Sequence, residues 1–240
     1  MNRTALDQYE GLVTDALKSC SAKLRKSFKT AFIQIMILYM VLPRKINFTQ
    51  MGRYSDSSEQ RFRQLFEREF DWMQFNLFLM RQRFGESVRK AIAIDASYIS
   101  KSGKKTPYIG KFWSGCASQV KRGLEILGIG IIDIDSRDCM MLRAEQTPDK
   151  AYLEKQGEDY NLVDWYLDVL RKHKDKLLRI TRYVVADAWF SKAKFVGEAC
   201  LLGFHVISRL RDDAALWYAH DGVRTGKRGR PRIKGGKIDF

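Results

Sequence analysis

Two aspartates offer this sequence its clearest chemistry. Asp95 follows the apolar run 91–94 and Asp187 follows 183–186, so each is expected at the end of a buried strand. A carboxylate in that position is costly to desolvate unless a cation or hydrogen-bond donors accompany it. In α/β sheets, ligands gather at the C-terminal ends of the strands. If the two strands are parallel neighbours, both carboxylates reach one edge of the sheet, where hard oxygen ligands suit Mg²⁺ or Mn²⁺. A pair of such ions activates a nucleophile and stabilises the leaving oxygen in phosphodiester chemistry. Either Asp alone reads as a cap or turn former after a strand. The two together, in a basic protein, read as a metal site.

Charge narrows the choice of partner. The 240 residues carry 43 Lys+Arg against 28 Asp+Glu, a net charge of +15, which points to a polyanion. Residues 1–90 hold +7 and residues 222–240 hold +6, whereas the long middle holds only +2. A general solubility surplus would be spread more evenly, so nucleic acid is the favoured partner. The four cysteines stand far apart with no C-x-x-C pair, which argues against a disulfide scaffold or a structural zinc module and for a reducing compartment. The longest apolar stretch, 31–42, is broken by Gln34 and falls short of the ~20 residues that span a bilayer. The N-terminus carries acids early and lacks a secretory apolar region. A soluble cytoplasmic protein without a membrane partner is expected.

The elements that must position these residues change character near residue 90. Before it, the pattern is helical. The segment 24–42 is evenly apolar and ends at Pro43, as a helix buried among helices would. Phe62, Leu65, Phe66 and Phe70 recur on one helical face, and Asp56 followed by Glu59 resembles a capping box that would start this helix. A short helix around Thr49–Tyr54 would complete a helix-turn-helix. Arg61, Gln64 and Arg68 then project opposite the aromatic face, where DNA contacts would be made. An ordinary helical hairpin with a solvated basic face fits the same pattern.

After residue 90 short strand patterns take over. The run 91–97 reads as a strand covered on both sides, followed by a polar loop to about residue 115. Residues 124–134 and 139–145 read as a hairpin joined by a four-residue loop. A helix over about 159–174, a strand at 183–188, a helix capped by Ser191 and closed by Gly203, and a strand at 204–210 complete the order. The fold class is α/β, a mixed sheet flanked by helices. Residues 222–240 are basic and glycine-rich, a loop or mobile arm, or the opening of an insertion. Within them Lys227, Arg228, Arg230 and Arg232 belong to a KRGRPRIK run resembling an AT-hook, whose arginines would enter a narrow A·T minor groove. A phosphate-binding insertion and a solvated tail are the plainer readings.

The stretches IAIDASYI around Asp95, LEILGIGIID, VVADAWFSKAKFV around Asp187 and HVISRLRDDAALWY together resemble a bacterial insertion-sequence transposase of the DDE class. NFTQMGRYS and FRQLFEREFDW resemble the helical DNA-binding region that precedes its catalytic domain. The resemblance runs from about Phe28 onward with the motifs in the family's order. It implies a small all-α DNA-binding domain over 1–90, an RNase H-like catalytic domain over 91–221, incomplete at its C-terminus, and the basic arm over 222–240. It further implies that Asp95 and Asp187 are the first two acids of the catalytic triad and bind two divalent ions, Mg²⁺ or Mn²⁺. These drive cleavage at transposon ends and strand transfer by the freed 3′-hydroxyl. The partners implied are double-stranded DNA, as transposon ends and target, with a homodimer on the DNA as one arrangement, in the nucleoid. The family's third acid is a Glu on a later helix. Glu198 is the one glutamate after Asp187, and it falls on the intervening helix, so no residue is assigned that role. A fragment of a longer protein and a frameshifted or decayed element both fit, and the alternative function is a non-catalytic DNA-binding protein that occupies transposon ends. On either reading this chain alone is not expected to cleave.

Overall fold

The computed structural model describes residues 4–238 apart from 21–23, 44–45, 86–88, 104, 212, 223–229 and 231. The first part is helical: α1 (Ala5–Ser19), α2 (Lys26–Val41), α3 (Phe48–Arg53), α4 (Glu59–Phe66) and α5 (Trp72–Phe84). Thr4 and Asp7 close a capping box on α1. Asn47 caps α3 through the amide of Gln50, and Asp71 caps α5 through that of Gln74. The expected box on the fourth helix is not made by Asp56. Ser58 is the cap, its hydroxyl accepting from the Arg61 amide at 3.3 Å, while Glu59 is taken up by Arg63 and by Thr49 of the preceding helix. This helix is also shorter than its aromatic spacing suggests. It stops at Phe66, leaving Arg68 and Phe70 beyond it. Phe70 packs instead on Phe32 at 4.8 Å and Trp72 at 4.9 Å between ring centroids, which draws the chain out of the helix toward α5.

The sheet begins with β1 (Lys90–Ser100), β2 (Gly110–Ser114), β3 (Gln119–Asp133) and β4 (Asp138–Gln146). Two helices follow, α6 (Lys150–Gln156) and α7 (Leu162–Leu178), then β5 (Tyr183–Ala186), α8 (Ala193–Leu201) and β6 (His205–Ser208). The strand order is β2-β3-β1-β5-β6, with β4 also pairing β3. The first four strands are antiparallel, while β1, β5 and β6 run parallel. Four antiparallel strands continued by two parallel ones, with helices between the parallel steps, form an RNase H-like sheet.

Three further details depart from the sequence reading. The segment taken as one polar loop contains β2, which pairs with the polar first third of β3. Ser191 does not cap α8. It ends a 3₁₀ turn over Ala188–Phe190, its hydroxyl donating to the Ala188 carbonyl at 2.7 Å, and the helix starts after Lys192 with no side-chain cap. The arm is not wholly irregular either, because β8 (Lys234–Lys237) pairs antiparallel with β7 (Trp217–Ala219). Lys227 and Arg228 lie outside the described residues.

Period-two alternation places Ile92 and Ile94 of β1, Leu127, Ile129 and Ile131 of β3, and Val184 and Ala186 of β5 on one face of the sheet. There they share a core with Tyr166, Leu167 and Leu170 of α7 and with Phe195 and Ala199 of α8. Met73, Leu77, Met80 and Phe84 of α5 belong to the same core, so the apolar packing of the sheet continues across residue 90. A second core joins α1, α2 and α5 through Leu17, Phe32 and Phe75, and a third joins α2, α3 and α4 through Leu38, Met51 and Phe62. Gly123 is required where β1 and β3 cross most closely: a Cβ there would lie 2.5 Å from the Ile99 carbonyl oxygen and 2.5 Å from the Tyr98 ring.

Candidate active site

Asp95 is not at the end of its strand. β1 continues to Ser100 because its second half pairs with the long β3, Asp95 standing opposite Gly128. The parallel side is different. Ile94 pairs with Ala186, the last residue of β5, so Asp95 and Asp187 stand level just beyond that ladder. Backbone extension at Asp187, with φ −70° and ψ 174°, continues the alternation. Both carboxylates therefore belong to the face of the sheet opposite the core, and both residues are exposed.

Their surroundings differ. One oxygen of Asp187 accepts from the Trp189 amide at 3.0 Å, and the Asp187 carbonyl accepts from Ser208 Oγ at 2.7 Å, which ties the end of β5 to the end of β6. Although the residue is exposed overall, partial burial of the Asp95 carboxyl raises it above the usual aspartate range, and the charge of Asp187 raises it further, against a lowering hydrogen bond from the Ala96 amide. Mutual repulsion of this kind is what a bound cation relieves. Paired, exposed carboxylates with no ion-pair partner among the described residues therefore fit a hard divalent ion. No cluster of three or more His, Cys, Asp or Glu suited to a metal occurs among the described residues. Glu198 is not part of the pair: it lies on α8 and faces Arg171 at 4.0 Å.

On the core face, next to the end of β5, stands a group of side chains that the sequence did not assign to the site. Trp189 stacks edge-on against Tyr166 at 5.5 Å, and Lys192 holds its ammonium 3.3 Å from the centre of the Trp189 ring. Burial lowers the Lys192 pKa, and the Arg211 charge lowers it further. Beneath them Tyr166 donates to Glu125 at 2.6 Å. Burial, followed by the Glu125 charge, pushes the Tyr166 phenol far up, so it remains a donor. The available signal was the aromatic pair at 189–190 directly after Asp187, which has to pack against something.

The candidate DNA contacts fall into two groups. Arg61 and Gln64 on α4 and Arg68 just past it are exposed and line one cavity of about 320 Å³ with Ser27, Phe28 and Leu65. Arg230 and Arg232 line a different cavity, with Trp217 and Lys234 of the β7–β8 pair.

The RNase H-like sheet thus carries two level acids on adjacent parallel strands. A family model described as DDE superfamily endonuclease matches residues 25–240, and the chain belongs to that family. DNA is the substrate the family implies, and its nucleases generally depend on divalent metal ions. No curated protein matches the chain. Among the described residues no helix is long and apolar enough to cross a membrane.

Proposed function

We propose that this chain is the transposase of a bacterial insertion sequence, cleaving DNA at transposon ends and joining the freed ends to a target. The observation that carries this reading is the parallel register that sets Asp95 level with Asp187. These two carboxylates would hold Mg²⁺ or Mn²⁺, which when bound supplies Lewis-acid stabilisation of phosphate charge and a nucleophile at neutral pH. The Trp189 amide fixes one Asp187 oxygen and leaves the other available. The test is nicking of supercoiled plasmid by the purified chain with Mn²⁺ and none with EDTA, an outcome that would set aside the expectation from sequence that this chain alone does not cleave. A second reading is a DNA-binding protein that occupies transposon ends without cutting, favoured by the lack of a third carboxylate beside the pair among the described residues. It requires tight DNA binding with no nicking under any metal.

DNA binding itself has a separate signature in both readings. Each phosphate neutralised contributes about −0.9 to the slope of log affinity against log salt. Replacing Arg61 and Arg68 together with Ala is expected to reduce the magnitude of that slope by about two and to weaken binding in a mobility-shift titration. An unchanged slope would remove these side chains from the interface.

A further inference from the structure

Two cavities of the helical region run into each other. Phe28, Leu65 and Arg68 line both, so the polar cavity of Arg61 and Gln64 opens directly onto an apolar one of about 490 Å³. That volume lies within the ~300–1,000 Å³ of ligand-binding clefts. The apolar cavity is walled by aromatic rings. Trp72 packs edge-on to Phe70, with Phe32 behind both at 4.8–5.6 Å. At the rim, Tyr39, Phe66 and Trp72 are 51%, 49% and 42% exposed. Such a concentration of exposed aromatic surface marks a binding site. Arg61 and Arg68 make no ion pair with a carboxylate among the described residues.

We propose that this cavity receives an unpaired nucleobase turned out of the DNA, while Arg61 and Arg68 hold the phosphates beside it. The inference rests on the DNA-binding reading above. Flat aromatic walls suit any base, because every base has a π-face, and an arginine at the same cavity adds a cation–π contribution. Arginine and glutamine at the mouth are the side chains that reach phosphates and base edges. Among the described residues no carboxylate lines either cavity, which leaves the site open to a polyanion.

The test compares a fluorescein-labelled duplex carrying one bulged thymidine with the same duplex fully paired, by fluorescence anisotropy on the full chain. Wild type is expected to bind the bulged duplex about ten-fold more tightly, within the range that base–aromatic stacking supplies. Tyr39→Ala and Trp72→Ala should reduce that ratio to about one without changing affinity for the paired duplex, and Trp72→Phe should retain most of it. Tyr39 has no ring partner among the described residues, so its removal leaves the helical packing in place should Trp72→Ala unfold. Equal wild-type affinity for the two duplexes overturns the inference and leaves the DNA reading standing. Failure to bind either duplex at low salt overturns the DNA reading itself. A preference that survives Tyr39→Ala also overturns the inference, as does a dimer in light scattering that Tyr39→Ala disperses, because a second copy would then fill the cavity.

Discussion

Mn²⁺ is expected to raise the melting temperature of the wild-type chain by about 5–11 °C at a hundred-fold excess over its dissociation constant, and to do nothing for Asp95→Asn or Asp187→Asn. A ligand at that excess stabilises the native state by about 2.7 kcal/mol, and a chain of this size gains about 2–4 °C per kcal/mol. The two acids stand level on adjacent parallel strands, so each substitution removes half of the site. Without metal the order reverses for Asp95. Its folded carboxyl is raised by burial and by Asp187, so the ionised form destabilises the native chain at neutral pH. That penalty disappears as the pH falls through the raised value toward the unfolded one. Metal-free Asp95→Asn should therefore melt above wild type at pH 7, and the two should converge in acid. DNA affinity should be unchanged or slightly higher, since a negative charge is lost. An identical Mn²⁺ shift in all three proteins would place the metal elsewhere.

Glu145→Ala is expected to lower the melting temperature by about 6–12 °C. Glu145, near the end of β4, accepts from Arg143 at 3.0 Å, Lys172 at 3.1 Å and His173 Nε2 at 3.1 Å, and its side chain is only 16% exposed. Burial opposes ionisation, but hydrogen bonds from His173, Arg143 and Lys172 outweigh it and hold the carboxyl at about 2. Removing one partner of a buried ionic cluster costs about 3 kcal/mol because the remaining charges are left uncompensated, and the temperature change follows at about 2–4 °C per kcal/mol. Arg143 also donates to the Phe70 carbonyl at 3.4 Å, so the loss reaches the segment between α4 and α5. The depressed carboxyl stabilises the fold fully above its unfolded value near 4.5, and that stability is lost as the pH falls toward about 2. The wild-type and Glu145→Ala melting curves should draw together across that window. Parallel curves from pH 6 to pH 2.5 would show that the cluster contributes nothing.

The main sheet was legible because its strands are apolar where they are buried. Ile92, Ile94, Val184 and Ala186 lie in the short continuous apolar runs 91–94 and 183–186, and the level placement of Asp95 and Asp187 needed only the assumption that their strands are parallel neighbours. β2 was not legible. Its Gly110–Ser114 pairs with the polar Gln119–Gly123, so neither partner shows a buried pattern. Caps failed for a different reason. Asp56 and Ser58 are both good N-cap residues, and tertiary contacts decide between them, since Glu59 is held by Arg63 and by Thr49 of the neighbouring helix. Arg68 was placed on a helix that ends before it, because the aromatic stripe continues in sequence while Phe70 satisfies it in space from outside the helix. The Trp189–Tyr166 and Tyr166–Glu125 contacts join elements distant in the chain, and no local spacing encodes them.

The ladder between β1 and β5 is only three residue pairs long, and its partners are separated by about ninety positions in the chain. The β1–β3 and β3–β4 pairings close much shorter loops. Loop-closure entropy grows with the length enclosed, and contacts between distant segments form slowly. The antiparallel half of the sheet can therefore assemble while β5 is still unplaced, and in that interval Asp95 and Asp187 are two unrelated side chains. During synthesis the chain must extend past Ala186 before the acids can meet at all. Appearance of metal affinity during refolding would thus time the docking of β5, separating a late event at the site from the earlier growth of secondary structure.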